Sequence, residues 1–355
     1  LIPARSASGT DAGTGQSTPH SSTQLSRSSS PHRTVGDLPG RATVIAANGA
    51  AKVFASGDGI RDLDLSVHEG TILGLIGPSG SGKTTAVKMF TGGIVPSSGS
   101  VRVFGSDPVG FSAFERARIG YMPQRSVLYP TLTVEENLDF LSSLYGKHEP
   151  SRMSEVLDFV ELSEHVDKRA DEISGGMQRR LSLAGALAHN PDLLFLDEPT
   201  AGIDPVLRRK FWDRFTELKE QGRTLLVTTQ YVGEAAYCDY IGVLADGDLL
   251  TVETPEGLRR TAYGGDLIDV EFTSRPNPAD VQDLQQALGA TSSTSTSPVS
   301  IRFVVPEAAA AVPLLGTWSG ERRVEIELAE QHVPSFDDVF VEIVEQARID
   351  GGEEA

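Results

Sequence analysis

Residues 77–85 read GPSGSGKTT and follow the apolar run Thr71-Ile72-Leu73-Gly74-Leu75-Ile76. Gly77, four residues, then Gly82-Lys83-Thr84 is the spacing of a loop that leaves a strand, wraps a triphosphate and enters a helix. Gly80 and Gly82 let the backbone approach phosphate with no Cβ in the way and adopt positive φ at little cost. Amides at the start of the following helix lack partners inside it, and the helix dipole favours an anion there. Ser79, Ser81 and Thr85 belong to the same cradle. Lys83 would reach the β- and γ-phosphates and the Thr84 hydroxyl would sit on Mg²⁺, so a nucleoside triphosphate with its metal is the expected ligand.

Other stretches could complete such a site. Leu193-Leu194-Phe195-Leu196 is a buried-type apolar strand ending in Asp197-Glu198, and two charges directly after an apolar run are costly unless they meet a metal or solvent. Asp197 could hold Mg²⁺ and Glu198 could orient or deprotonate water; a strand that simply ends at the surface is the alternative. Ile173-Ser174-Gly175-Gly176-Met177-Gln178 places Ser174 as the N-cap of a helix running through Arg179, Leu181 and Ala188. That is a second candidate anion site, although Ser-Gly-Gly alone is usually just a turn. Gln124, which ends the segment Ile119-Gly120-Tyr121-Met122-Pro123, could be a neutral ligand for Mg²⁺ or its water. Phe54, upstream of the loop, could stack on a base or be an ordinary core strand residue.

A strand-rich scaffold must hold these residues. Residues 1–40 are dominated by Ser, Thr, Gly and Pro and read as a disordered tail, with too few large apolar side chains to offset the entropy of ordering them. Residues 42–54 and the alternating Leu63, Leu65 and Val67 read as antiparallel strands ahead of the loop strand. A helix over 84–90 and a strand over 100–104 follow the loop. Thr133-Val134-Glu135-Glu136 has capping-box spacing for a helix carrying Leu138, Leu141 and Leu144, and 133–170 reads as mostly helical. Pro205 opens an amphipathic helix with Leu207, Phe211, Phe215 and Leu218, closed by Gly222, and a strand over 224–229 ends at Gln230. Asp246-Gly247 turns a hairpin between 241–245 and 248–252. Beyond Asp266, strands over 267–272, 300–305 and 323–328, helices over 279–288 and 335–346, and a low-complexity run over 291–297 suggest a small α+β domain spanning 265–346, then an acidic tail over 347–355.

Composition narrows the partners. The 355 residues include 49 acidic and 31 basic side chains, a net charge of −18. That is the wrong sign for nucleic acid, and it argues against holding anionic lipid by charge alone. The single cysteine, Cys238, has no partner for an internal disulfide and reads as a small buried hydrophobe, which fits a reducing cytosol. No apolar run approaches the roughly 18 residues that span a bilayer and no signal-peptide core follows Leu1, so any membrane role is expected through a partner. Leu1 in place of methionine suggests a processed or truncated start.

The phosphate loop, Gln124, Ser174-Gly175-Gly176, Asp197-Glu198 and Ala201-Gly202-Ile203-Asp204-Pro205, in that order, resemble the ATP-binding subunit of an ABC transporter over about residues 42–260. The resemblance implies an α/β fold: a P-loop NTPase of ABC type over 41–260, with a mixed core sheet, an antiparallel β subdomain and a helical subdomain. It implies ATP and Mg²⁺ as ligands, sandwiched between two such domains. Ser174, Gly175 and Gly176 would then meet the γ-phosphate in trans, Glu198 would activate water, and Asp204 would link the two sites. One set of motifs would need a second copy or a paralogue, docked under a separate polytopic permease at the cytoplasmic face of the cell membrane. Phe54 takes the place of the base-stacking aromatic. Met177-Gln178-Arg179-Arg180-Leu181 and the ending Pro334-Ser335-Phe336-Asp337-Asp338-Val339-Phe340 resemble the drug- and lipid-export branch and its C-terminal extension.

One residue departs from the family pattern. Gln230 stands after Thr228-Thr229, where a histidine usually contacts the γ-phosphate. Glutamine donates and accepts hydrogen bonds but does not become cationic near pH 7, so slow hydrolysis is expected with Glu198 and Lys83 in place. Two alternatives share these residues: a soluble regulatory or repair ATPase of the superfamily, and a hydrolysis-poor switch forming half of an unequal pair.

Overall fold

A computed structural model of the chain describes residues 33–34, 40–146 and 149–350. Most of the expected tail over 1–40, and 351–355 of the expected acidic tail, lie outside the described residues. The chain opens with β1 (Arg33–Thr34), β2 (Thr43–Val53), β3 (Gly59–Ile60) and β4 (Leu65–His68), then β5 (Ile72–Ile76), α1 (Lys83–Phe90) and β6 (Ser98–Val103). β2 is the spine of a five-stranded sheet: β3, β4 and β6 pair with it antiparallel, and β1 runs parallel to β4. Arg33 and Thr34, read from composition as tail, therefore gain backbone partners at Leu65 and Ser66.

α2 (Ala113–Arg116) and β7 (Ile119–Met122) lead into α3 (Val134–Ser143), α4 (Pro150–Phe159) and α5 (Gly175–Leu187). Thr133 caps α3 through a reciprocal capping box with Glu136. The stretch from Val160 to Ser174 runs mainly in turns, so helix covers less of 133–170 than its pattern suggests.

β8 (Leu193–Asp197), α6 (Pro205–Glu220), β9 (Thr224–Thr229), β10 (Tyr240–Ala245) and β11 (Asp248–Glu253) complete a six-stranded sheet. Its order is β11-β10-β5-β9-β8-β7, parallel except for the β10–β11 hairpin. β5, β8 and β9 are buried throughout, which is why they read as continuous apolar runs rather than alternating ones. Alternation still sorts their side chains: Leu194 and Leu196 join a core with Leu181, Phe211 and Trp212, while Leu193 and Phe195 join a second core with Val87 and Phe90.

The last part comprises α7 (Pro255–Tyr263), β12 (Asp266–Phe272), α8 (Pro278–Ala287), β13 (Ser292–Ser295), β14 (Ser300–Val305), α9 (Ala308–Arg322), β15 (Ile326–His332) and α10 (Phe336–Asp350). β13-β14-β12-β15 form an antiparallel sheet over a third core that includes Phe272, Leu284, Phe303 and Trp318. Four features depart from the sequence reading. The low-complexity run contains edge strand β13, and α9 fills 308–322 despite Pro313 in its interior. Arg323, left-handed at φ 58°, ends α9, so the next strand starts only at Ile326. α10 continues to Asp350, and its Phe336, Val339 and Ile343 belong to the first core beside Ala235, Leu258 and Ala262.

Candidate active site

β5, β9, β8 and β7 are parallel neighbours, and the loops leaving their carboxyl ends converge. Ligands of open α/β sheets bind at such an edge. Register does the gathering: Ile76 lies opposite Thr229, Asp197 opposite Thr228, and Met122 opposite Leu196.

The phosphate loop leaves β5 and enters α1. Gly80 and Gly82 sit at φ 83° and 104°, and Gly82 starts α1 with no side-chain cap on its amides. A Cβ on Gly77 would lie 2.1 Å from the Leu244 carbonyl oxygen, and one on Gly82 would lie 2.6 Å from that of Gly59. Ser79 and Gly80 are exposed, Thr84 and Thr85 half-buried, and Ser81 buried with a hydroxyl that has no partner. Lys83 is buried; its Nζ donates to the carbonyls of Gly77 (2.7 Å) and Pro78 (2.9 Å) and stands 3.8 Å from Glu198 Oε1. Burial lowers its pKa, with the charges of Glu198 and Asp197 opposing.

Asp197 Oδ1 accepts from Thr228 Oγ1 (2.6 Å) and from Thr84 Oγ1 (3.2 Å). Its other oxygen, Oδ2, is buried with no hydrogen-bond partner. An orphaned buried acceptor costs about 1–3 kcal/mol, more when charged, and suits a cation ligand. Among the described residues no cluster of three His, Cys, Asp or Glu side chains is placed to hold a metal. A single carboxylate with a hydroxyl and substrate phosphates fits the way Mg²⁺ is commonly held. Burial, then Asp197, pushes the neighbouring Tyr121 hydroxyl up to about 12.

Glu198 has φ 49°, its amide donates to Thr228 Oγ1 (2.9 Å), and its Oε2 accepts from Gln124 Nε2 (2.8 Å). Ser79 Oγ donates to Gln230 Oε1 (3.2 Å), an arrangement that uses the glutamine's acceptor and leaves its NH₂ as a donor. Phe54, in the turn after β2, is 40% exposed, which removes the core-residue reading. Ser174 caps α5, its hydroxyl accepting from the Met177 amide, and Asp204 caps α6 by accepting from the amides of Val206 and Leu207. Both are exposed, and Gly176 approaches Leu207 so closely that a Cβ there would meet its Cδ2 at 3.0 Å. Among the described residues no hydrogen bond or ion pair joins Ser174, Gly175, Gly176 or Asp204 to the phosphate loop.

Two residues of this neighbourhood escape the sequence reading. Thr228 bonds both acidic residues with one hydroxyl, and its only signal is a polar residue in the buried strand TLLVTT. Arg179, on the exposed-looking stretch Gln178-Arg179-Arg180, reaches the carbonyls of Gln124, Glu198 and Pro199.

The chain matches the family model described as ABC transporter over residues 60–201. It is 42% identical over 232 residues to the probable multidrug ABC transporter ATP-binding protein YbhF of Escherichia coli (strain K12), covering 64% of this chain but only 39% of that relative. The Nod factor export ATP-binding protein I of Burkholderia orbicola (strain AU 1054) is 37% identical over 228 residues, 63% of this chain and 74% of that one. The linearmycin resistance ATP-binding protein LnrL of Bacillus subtilis (strain 168) is 35% identical over 229 residues, 63% and 73% of the two chains. Among solved structures, an ATP-binding subunit of an ABC transporter aligns with TM-score 0.57 at 26% identity, over 62% of this chain and 93% of that one. A dimeric ATP-binding cassette bound to ADP and Pi aligns with TM-score 0.54 at 27% identity, over 59% and 98%. Likeness at this level across most of the length of two relatives, together with a glycine cradle facing buried carboxylates, settles the family: the chain belongs to the ATP-binding proteins of the ABC transporters.

Proposed function

We propose that this chain binds and hydrolyses ATP with Mg²⁺ and, paired with a second ATP-binding domain, powers a membrane exporter. The observation that carries the hydrolytic reading is the meeting of Lys83, Thr84, Asp197, Glu198 and Gln124 at one sheet edge. The glycine cradle and first-turn amides of α1 bind the phosphates, with Lys83 as a fixed cation among them. Asp197 and Thr84 would hold Mg²⁺, which would supply positive charge against the phosphate oxygens. Glu198 accepts the proton of the attacking water, Gln124 orients that carboxylate, and the Gln230 amide donates toward the γ-phosphate. Phe54 stacks on the base. Ser174, Gly175, Gly176 and Asp204 act across the dimer, a role that the exposure of Ser174, Gly175 and Asp204 supports.

Export is supported by the names of the relatives, which are multidrug, Nod factor export and linearmycin resistance proteins. Among the described residues no helix is long and apolar enough to cross a membrane. A separate permease would carry the membrane path, as the transporter relatives suggest, with this chain at its cytoplasmic face and residues 265–346 as an accessory domain.

The test is steady-state Mg-ATP hydrolysis across protein concentration, beside Glu198→Gln. A rate rising faster than linearly and falling about 10²–10⁴-fold in the variant is expected. Equal, negligible rates with ATP still bound would overturn hydrolysis and favour the unequal pair, a second reading that Gln230 supports.

A further inference from the structure

Past Met122 and Leu196 the parallel ladder of β7 and β8 ends. The carbonyls of Gln124, Glu198 and Pro199 lie beyond it, where no strand partner follows. One side chain serves all of them. From α5, Arg179 Nε donates to the Pro199 carbonyl (3.1 Å), while Nη1 and Nη2 donate to the carbonyls of Gln124 and Glu198. A planar guanidinium with five fixed donors suits this task, whereas a lysine ammonium presents one compact head. Arg180, the next residue, points elsewhere: it donates to the carbonyls of Val160 and Glu161 and to the Glu161 carboxylate.

We infer that Arg179 is a positioning residue for hydrolysis, setting the direction of the Glu198 carboxylate and holding the Gln124 loop against it. Glu198 occupies a left-handed backbone conformation that a non-glycine residue keeps only when its surroundings over-determine it. Its amide is pinned by Thr228 and its carbonyl by Arg179, so both of its peptide groups are fixed. Gln124 is held at its carbonyl by the same guanidinium while its side chain donates to Glu198.

The inference rests on the ATPase reading but is separable from it. The experiment uses the full chain as wild type, Arg179→Ala, Arg179→Lys and Arg180→Ala. Steady-state hydrolysis is measured with binding of a fluorescent ATP analogue and hydrogen–deuterium exchange over 122–128 and 196–202. Arg179→Ala should lower kcat by about 10-fold to 100-fold, the scale of an ångström-level misplacement. KM and analogue affinity should stay within about twofold, because the phosphate loop is untouched. Arg179→Lys should recover part of kcat, and Arg180→Ala should stay near wild type. Exchange should quicken in both segments in Arg179→Ala alone. An unchanged kcat, a rise in KM with kcat intact, or equal losses in Arg179→Ala and Arg180→Ala would overturn the inference. If the wild type binds the analogue without hydrolysing ATP, the ATPase reading falls, and exchange unchanged by Arg179→Ala then overturns the positioning role.

Discussion

The Thr228 hydroxyl accepts from the Glu198 amide and donates to the Asp197 carboxylate, so one oxygen ties the two neighbouring acidic residues together. Thr228→Val keeps the shape and removes both bonds. It should cost about 0.5–1.5 kcal/mol per bond lost in denaturant unfolding, since the Glu198 amide keeps the Thr228 carbonyl and Asp197 keeps Thr84, and it should lower hydrolysis, while Thr228→Ser stays close to wild type. At Gln230, substitution by histidine should raise turnover by adding a group that can become cationic near the γ-phosphate. An unchanged or lower rate would count against Gln230 as the limiting feature. Lys83, Thr84, Asp197 and Glu198 were readable from sequence because their neighbours state the geometry: glycines around the lysine, an apolar run before the acids. Thr228 and Arg179 were not, since their roles depend on which strands lie side by side, and no local pattern records that.

Strands and capped helices announce themselves when periodicity and punctuation agree. The capping box at Thr133, Pro205 opening α6 and the Asp246-Gly247 hairpin all do. α9 is concealed because Pro313, Gly316 and Gly320 interrupt a helical pattern that tertiary packing of Leu315 and Trp318 overrides. α10 looks like a terminal appendage, yet Phe336, Val339 and Ile343 pack with Leu258, Ala262 and Ala235. Ile343→Ala should therefore cost about 2–5 kcal/mol, with the change reported by Trp212 in the first core as well as by Trp318 in the third. The accessory sheet carries its own acid sensitivity. Arg302 grips Asp269 through Nε–Oδ1 (2.7 Å) and Nη2–Oδ2 (2.8 Å) and holds its carboxyl below the ordinary 3.8. A depressed carboxylate stabilises fully above its unfolded value and loses that contribution as pH falls through the folded one. Trp318 fluorescence should show the third core weakening below about pH 4, the ordinary carboxylate range, and Asp269→Asn should flatten that dependence.

For the whole molecule, charge sets the terms of association. Two copies each carrying −18 repel before their sites can meet. Raising ionic strength from about 0.01 M to 0.15 M shortens the screening length from roughly 30 Å to 8 Å. ATP-loaded Glu198→Gln should accordingly dimerise more tightly in the saltier buffer by sedimentation velocity; weaker dimers there would mean that attractive ion pairs dominate the interface. α10 has another consequence, one of manufacture. Since it packs against α7 and the turn Val232–Tyr237, the nucleotide-binding core stays unsealed on the ribosome until the accessory sheet has been translated. Leu258 and Ala262 wait bare through that interval, a window in which a nascent chain is open to chaperones and to mispairing. Phe336 and Val339 cover these residues once α10 has been made, so the first core is completed by the last helix of the chain.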